Sequence, residues 1–243
     1  MTPQKKPKNL LLCVDSAQGV ASLGLVCERK VLAKRQLANK RDHAERIIDE
    51  IQKVLDQAGH KLRDCAAIVT GLGPGSFIGV RIGLATIKGL AFGANIPVIG
   101  VSSSAALALS AQQQGRVAVA IDAKKGQVYA SAHVVNAELN LQHELAAPQP
   151  LAPDKAQQLF ASIGAFDLVT GDGFVRYADI FSPLLTATPR PQSVNKGIEV
   201  IALATLAQAR LANRDFCDLD TLAPHYARRS EAEIKRAQRL DSL

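Results

Sequence analysis

Residues 73–83, with the sequence GPGSFIGVRIG, have the residue types and spacing most suited to binding a ligand. They follow an apolar run at residues 66–70 and open a long apolar segment, so a turn between a strand and a helix is predicted. Ser76 can cap that helix, and a helix end flanked by glycines can bind a phosphate group. The P-loop pattern and the GxGxxG dinucleotide pattern are both absent. A turn that serves only packing is therefore favoured over an anion site.

The histidines and cysteines show no spacing that predicts a metal site, and no Ser/His/Asp pattern predicts a nucleophile. The four cysteines form no C-x-x-C pair, and three of them lie in apolar runs, which is typical of buried thiols. A reducing compartment is therefore expected. The five histidines are His43, His60, His133, His143 and His225.

The helix predicted after the turn, at residues 79–93, contains four glycines. An interior glycine costs about 0.5–1 kcal/mol relative to alanine, so a compensating interaction is expected. Glycines four residues apart clear one helix face and allow another backbone to approach closely. Most other positions are apolar, which predicts burial either inside its own domain or against a partner protein.

The elements of the first half are predicted in the order β-β-β-α-β-α-β-α. Apolar residues recur at three- and four-residue spacing through residues 42–58, which indicates an amphipathic helix. The predicted strands are at residues 9–15, 20–26, 30–37, 66–70 and 97–101, and the helices are at 42–58, 79–93 and 102–114. The second half is predicted to contain strands at 117–121, 127–135, 139–145 and 166–170, helices at 154–163 and 195–212, and a proline-rich link after 145.

The second half repeats features of the first. The apolar strand that ends in Asp15 is echoed 107 residues later by the strand that ends in Asp122, and each is followed four residues on by glycine. The pair Thr70 and Gly71 recurs 100 residues later. Two echoes in the same order predict a duplicated lobe. The predicted domains are a first lobe at 1–115 with the returning helix 195–212, a smaller second lobe at 116–190, and a basic tail at 213–243.

The net charge of +7 permits contact with nucleic acid, although a solvated basic surface is the simpler interpretation. There is no tryptophan and there are three tyrosines, so a base-stacking platform is not expected. Residues 89–115 are uncharged, but Asn95, Pro97 and three serines divide them, so no membrane span is predicted. Too few apolar residues follow the basic N-terminus for a signal peptide, and a cytoplasmic protein is expected.

A duplicated α/β lobe with a carboxylate at its first hairpin resembles the actin-like (RNase H-like) superfamily, which includes sugar kinases and heat-shock ATPases. Residues 73–83 are also similar to the GPGSFTGxRIG signature of the TsaB (YeaZ) family, bacterial proteins of the tRNA threonylcarbamoyladenosine pathway. Ile78 stands where that signature has threonine, and Ser16 stands in a first turn that usually has the sequence Asp-Thr-Ser. The similarity extends along nearly the whole chain through residues 88–91, 97–103, 122–123, 128–129, 171–173 and 224–228.

The superfamily resemblance implies a nucleotide site between the two lobes. Relatives place residues that handle magnesium and phosphate where Asp15, Ser16 and Asp122 stand in this chain. The turns that follow the two carboxylates lack the glycines and hydroxyls that donate to phosphates. A degenerate nucleotide site is therefore expected, with weak or no ATP binding and no cofactor.

The resemblance also implies a noncatalytic partner subunit. The related catalytic protein TsaD has a His-x-x-x-His pair on the helix that corresponds to 42–58, but Ile47 occupies the second position in this chain, so no metal site and no catalytic residue are expected. TsaD would transfer threonylcarbamoyl to the adenosine beside the tRNA anticodon, and TsaE would supply an ATPase. This chain would form a heterodimer with TsaD and contact tRNA through the complex. The implied interface residues are His43, Ile47, Phe77, Arg81, Gly83 and Leu84.

Three further expectations follow from this interpretation. Without TsaD, the same surface is expected to join two copies of this chain in a symmetric homodimer. One alternative function is an ATP-binding small-molecule kinase or ATPase of the same fold. The other is a metallopeptidase, which the older glycoprotease label of the wider family suggests.

Overall fold

The structure is a computed structural model that describes residues 9–38, 42–188 and 197–225, excepting the side chains of residues 42–44. The strands in these ranges are β1 Leu10–Asp15, β2 Ala21–Cys27, β3 Lys30–Leu37, β4 Ala67–Gly71, β5 Val98–Val101, β6 Gly115–Lys124, β7 Gln127–Val135, β8 Leu141–Leu151 and β9 Leu168–Thr170. The helices are α1 Asp42–Ala58, α2 Phe77–Ala94, α3 Ser103–Ser110, α4 Pro153–Ile163, α5 Asp172–Arg176, α6 Ser182–Ala187 and α7 Val200–Ala212.

The strands form two sheets with the same core topology. The first sheet has the order β3-β2-β1-β4-β5, and the second has the order β8-β7-β6-β9. In each sheet the first strand of the lobe pairs antiparallel with the second and parallel with the fourth. The predicted duplication of an actin-like α/β lobe is therefore confirmed.

Strand β1 is buried on both faces because helices cover both sides of the first sheet. Its alternate side chains enter two separate hydrophobic clusters. One cluster contains Leu10, Leu12 and Val14 with residues of α1 and α2. The other contains Leu11 and Cys13 with residues of α3 and α7.

The two lobes share one of these hydrophobic clusters. Helices α3 and α7 pack together, α7 contacts β1, β2, β4 and β5, and α3 contacts β6 and β7. Helix α7 thus packs on the first lobe and begins at Val200, whereas the sequence predicted a helix from residue 195.

Strand β8 is longer than the sequence predicts. A proline-rich link was expected after residue 145, but the strand continues to Leu151 and contains Pro148 and Pro150. Because β8 is the edge strand of its sheet, a residue without a backbone N–H is tolerated there. Proline marks the sheet edge in this case, and not the end of the strand.

The chain after α7 packs on the first lobe, although the sequence predicted only a basic tail at residues 213–243. The Cys217 amide donates to the Val98 carbonyl at 2.8 Å, and the Leu222 side chain is buried. The His225 amide donates to the Leu72 carbonyl at 2.8 Å. Residues 226–243, the rest of the predicted tail, lie outside the described residues.

Helix α2 is long and apolar enough to cross a membrane when only its length and composition are considered. It nevertheless packs on α1 and on strands β1, β4 and β5 of the first sheet. Its buried side is formed by Gly79, Val80, Gly83, Leu84, Ile87 and Ala91. These contacts are those of a helix within a folded α/β lobe.

A buried polar cluster lies between α3 and β7. The His133 Nε2 atom is 3.2 Å from the Ser104 hydroxyl and 3.1 Å from the Ser131 hydroxyl, and the two hydroxyls contact each other. The His133 Nδ1 atom is buried without a hydrogen-bond partner. Burial lowers the pKa of His133 to about 4.

This burial predicts acid sensitivity of the folded state. In the unfolded chain, His133 binds a proton below about pH 6.5, whereas in the folded chain it stays neutral down to about pH 4. The stabilisation that is present above pH 6.5 is therefore lost as the pH falls, because protonation favours the unfolded chain. The free energy of unfolding should drop by about 2 kcal/mol between pH 7 and pH 5 through this residue. Urea unfolding at the two pH values measures the drop.

The matched variants are His133→Gln, which removes the titrating group, and His143→Gln, on the exposed part of β8. The first should lose most of the difference between pH 7 and pH 5, whereas the second should keep it. Equal pH dependence in the wild type and His133→Gln would contradict the assignment.

Candidate functional site

The turn at residues 73–76 packs directly against the turn between β1 and β2. Ser76 caps α2 as predicted, because its hydroxyl accepts a hydrogen bond from the Gly79 amide at 3.2 Å. The Ser76 amide donates to the Ala17 carbonyl at 2.6 Å. A Cβ atom at Gly75 would overlap that same carbonyl. The contact supports the packing role of the turn over the anion-site alternative.

The first two glycines of α2 permit a close approach within the same lobe. The Ser16 hydroxyl donates to the Gly79 carbonyl at 2.7 Å. A Cβ atom at Gly79 would overlap the Ser16 carbonyl, and one at Gly83 would overlap the Ser16 hydroxyl. Both glycines are therefore explained by internal packing, which was one of the two alternatives.

The last two glycines of α2 have different surroundings. A Cβ atom added at Gly89 or Gly93 would meet no neighbouring atom within 4 Å. Packing within the lobe therefore does not require glycine at either position. They lie on an outward side of the helix, where a small residue leaves the backbone accessible to another molecule.

Asp15 is enclosed in the first lobe. Its Oδ2 atom accepts a hydrogen bond from the Ser103 hydroxyl at 2.5 Å, and its Oδ1 atom accepts one from the Ala17 amide at 2.9 Å. The Ser103 hydroxyl also accepts from the Gly73 amide at 3.1 Å. Burial raises the pKa of Asp15, although the hydrogen bonds from Ser103 and the turn amides act in the opposite direction. The carboxyl group thus joins β1, the glycine turn and the start of α3.

Asp122 occupies the equivalent place in the second lobe and is paired within the chain. Its Oδ1 atom accepts a hydrogen bond from the Lys124 amide at 2.9 Å, and its Oδ2 atom contacts the Lys124 ammonium group. The Arg176 Nε atom is 3.5 Å from the same Oδ2 atom. The Asp122 amide donates to the Asp172 carboxylate at 2.7 Å.

These contacts test whether the residues fit a magnesium nucleotide. Both oxygens of Asp15 and both oxygens of Asp122 already accept hydrogen bonds or an ion pair from this chain. A hard cation such as Mg²⁺ needs carboxylate oxygens that are open to it. The two carboxylates therefore do not fit that role in this arrangement.

No group of three or more His, Cys, Asp or Glu side chains that could hold a metal ion occurs in the described part of the chain. The Ile47 side chain belongs to the hydrophobic cluster under α1, where it is 1% exposed. The His43 side chain lies outside the described residues, although the residue itself falls within α1.

An exposed apolar surface lies on the outward side of α2, and we call it the outer α2 face. It consists of Phe77, Ile78, Arg81, Ala85, Gly89 and Phe92. Phe92 is 83% exposed, Ile78 is 69% exposed and Phe77 is 45% exposed. The Arg81 guanidinium lies 3.9 Å from the centre of the Phe77 ring. On the neighbouring helix α1, Ile48 is also exposed.

The structure separates the residues that the sequence grouped as a partner interface. Phe77 and Arg81 lie on the outer α2 face, where a partner can reach them. Ile47, Gly83 and Leu84 are instead buried inside the lobe, so they are removed from the candidate surface. The physical reason is that their side of each helix faces the first sheet, which needs an apolar cover.

The interface that the sequence predicted leaves out three exposed apolar residues of α1 and α2, which are Ile78, Phe92 and Ile48. The spacing on α2 does indicate one continuous helix face, because Ile78, Ala85, Gly89 and Phe92 follow each other at three-, four- or seven-residue intervals. The signal is hidden because the opposite side of α2 is equally apolar.

Comparison with known proteins places the fold and the sequence in one family. The family model of TsaD, described as tRNA N6-adenosine threonylcarbamoyltransferase, matches residues 30–166. The tRNA threonylcarbamoyladenosine biosynthesis protein TsaB of Escherichia coli strain K12 is 34% identical over 173 residues, which is 70% of this chain and 74% of that protein. TsaB of Haemophilus influenzae is 33% identical over 188 residues, which is 73% of this chain and 78% of that protein.

The fold of this chain is also similar to that of solved structures from the same family. YeaZ from Pseudomonas aeruginosa has a TM-score of 0.74 at 27% identity and covers 90% of this chain and 99% of its own. A Pseudomonas aeruginosa protein described as uncharacterized and similar to the peptidase YeaZ has a TM-score of 0.77 at 28% identity, with 90% and 100% coverage. Because the sequence match and the fold match agree along both lobes, the chain belongs to the TsaB family of tRNA threonylcarbamoyladenosine biosynthesis proteins.

Proposed function

We propose that this chain is a noncatalytic subunit of a tRNA threonylcarbamoyl transferase complex, which pairs with a TsaD-family protein through the outer α2 face. The observation that carries the proposal is the exposure of Ile78 and Phe92 on a helix that is apolar on both sides. The match of this chain to the TsaD family model supports a TsaD-like fold as the partner. Lobes of one fold can pair through equivalent helices in a nearly symmetric contact.

Burial of the outer α2 face by a partner supplies the driving force in this proposal. Covering a large apolar side chain such as Phe92 or Ile78 stabilises a complex by about 1.5–3 kcal/mol. Gly89 and Ala85 lie between these two residues and lack bulky side chains, so a partner helix can approach the α2 backbone closely. Arg81 adds a planar cation at the edge of the apolar residues.

The noncatalytic assignment rests on side chains that already make hydrogen bonds or hydrophobic contacts within this chain. Asp15 and Asp122 are hydrogen-bonded within their own turns. Ile47 fills the hydrophobic core at the position where a metal-binding helix would need its second histidine. The reaction chemistry is therefore assigned to the TsaD-family partner.

The rest of the complex follows from the same proposal. A TsaE-type ATPase supplies nucleotide hydrolysis, and tRNA reaches this chain through the assembly. The tRNA substrate places that assembly in the cytoplasm. When the TsaD-family partner is absent, two copies of this chain pair through the outer α2 face.

Charged substitutions on the outer α2 face should break the heterodimer. In Ile78→Asp and Phe92→Asp, a carboxylate would be buried in an apolar contact, which is costly when no cation pairs with it. Affinity for the TsaD-family partner of the same organism should fall by at least about 100-fold, the loss expected at an interface hot spot. Isothermal calorimetry measures the affinity, and gel filtration measures the size of each species.

The matched control is Val175→Asp, because Val175 is 62% exposed but lies on α5 of the other lobe. It should keep wild-type affinity for the partner. Wild-type affinity in both α2 variants would place the interface elsewhere and overturn the proposal.

The nucleotide interpretation gives a separate prediction. Titration of the isolated chain with ATP and Mg²⁺ should show no binding in the micromolar range, because the Asp15 and Asp122 oxygens are engaged by this chain. Calorimetry measures this directly. Micromolar binding that disappears in Asp15→Asn or Asp122→Asn would favour the kinase or ATPase alternative.

A further inference from the structure

We propose that a basic groove between β3 and α1 binds the phosphate backbone of RNA. Its charged lining side chains are Arg35, Arg46, Glu50 and Lys53, and we call it the β3-α1 groove. The inference deepens the proposed function, because it gives this chain its own contact with the tRNA of the complex.

The β3-α1 groove has a volume of about 440 Å³ and is lined by the basic side chains of Arg35, Arg46 and Lys53, whereas the Lys34 ammonium lies on the α7 face of the sheet, where it pairs with Glu199. The side chains of Lys34, Arg46 and Lys53 are each about half exposed, and that of Arg35 is 42% exposed. Each of these side chains is therefore partly accessible to solvent. A ligand in the groove can reach donors from both the strand and the helix.

A single carboxylate holds three of these cations together. The Glu50 side chain is 6% exposed, and its oxygens lie 2.7 Å from Lys53, 3.3 Å from Arg46 and 3.7 Å from Arg35. The hydrogen bond from Lys53 holds the pKa of Glu50 below its ordinary value, so the carboxylate is charged at neutral pH. One negative charge against three positive charges leaves a surplus that an anion can neutralise.

The fourth cation, Lys34, pairs with Glu199 at 2.9 Å. Within the groove itself, Glu50 is the one carboxylate among the described lining residues, and it faces the three cations of Arg35, Arg46 and Lys53. The remaining surplus lies at a sheet edge and favours an extended polyanion over a single compact ion. Each phosphate of a nucleic acid brings one charge and acceptor oxygens that suit arginine and lysine.

The lining also indicates how RNA would be bound. None of the described residues that line the groove is aromatic, so stacking on bases does not contribute. Contacts to phosphates position a nucleic acid without reading its sequence, which suits a subunit that holds many different tRNA molecules. The catalytic partner then supplies selection of the target adenosine.

The β3-α1 groove and the outer α2 face lie on different sides of α1. Helix α1 packs on β2 and β3 at one end of the first sheet. Glu50 faces β3, whereas α2 covers β1, β4 and β5. RNA in the groove therefore leaves the outer α2 face free for the partner.

Fluorescence anisotropy with a labelled tRNA transcript tests the proposal, using the full chain between about 50 and 200 mM salt. The groove variant combines Arg46→Gln and Lys53→Gln, and its charge-matched control combines Lys61→Gln and Lys155→Gln on other exposed surfaces. The groove variant should bind tRNA at least about tenfold more weakly than the control. The slope of log K against log salt should fall by about 2, close to one for each cation that no longer neutralises a phosphate.

The single variant Arg46→Gln guards against a folding effect, because Arg35 and Lys53 still pair with Glu50. It should lower the salt slope by about one and leave thermal unfolding unchanged, whereas Lys34→Gln on the opposite face of the sheet should keep the wild-type slope. Equal tRNA binding by the groove variant and its control would overturn the proposal.

The partner assay separates this inference from the proposed function. The groove variant should keep its affinity for the TsaD-family partner, and Phe92→Asp should keep the tRNA affinity of the isolated chain. If Phe92→Asp fails to disturb the heterodimer while the groove variant still binds tRNA more weakly, only the proposed partner surface is wrong.

Discussion

The first lobe depends on the close approach of the β1-β2 turn to the start of α2. The Ser16 hydroxyl and the Ala17 carbonyl bind the backbone of α2 and its preceding turn at distances of 2.7 and 2.6 Å. This approach requires glycine at positions 75, 79 and 83, since any Cβ there would overlap the turn. It fixes the angle at which α2 leaves the sheet, and therefore which of its two apolar sides faces outward.

Much of the fold follows from periodicity in the sequence. The boundaries of α1 agree with the prediction from residue 42 to residue 58, because its apolar spacing is regular and Gly59 follows it. The duplicated lobes could be predicted from two pairs of short echoes, since the turns they mark have the same sheet position. The end of β8 and the packing of residues 213–225 could not be predicted, because both depend on which strand lies at a sheet edge and which surface remains uncovered.

The candidate interface was only partly predictable for a related reason. Sequence reasoning placed Phe77 and Gly83 on one surface, although the structure buries Gly83 and exposes Phe77. In a helix with one polar side, hydrophobic spacing distinguishes inside from outside, but α2 has hardly any polar side. The basic groove was hidden for the opposite reason, since its cations come from β3 and α1 and become neighbours only when the helix packs on the strand.

Because Asp15 is enclosed, one or two substitutions would not convert its turn into a phosphate-binding turn. Gly71 lies so close to the Asp15 carboxyl and the Ser103 hydroxyl that a methyl group at that position has no space. Changing Ser16 alone toward a phosphate-binding turn would leave Asp15 held by Ser103 and would also remove a brace of α2. Under the proposed function, nucleotide binding at Asp15 would therefore need several coordinated replacements, each unfavourable by itself.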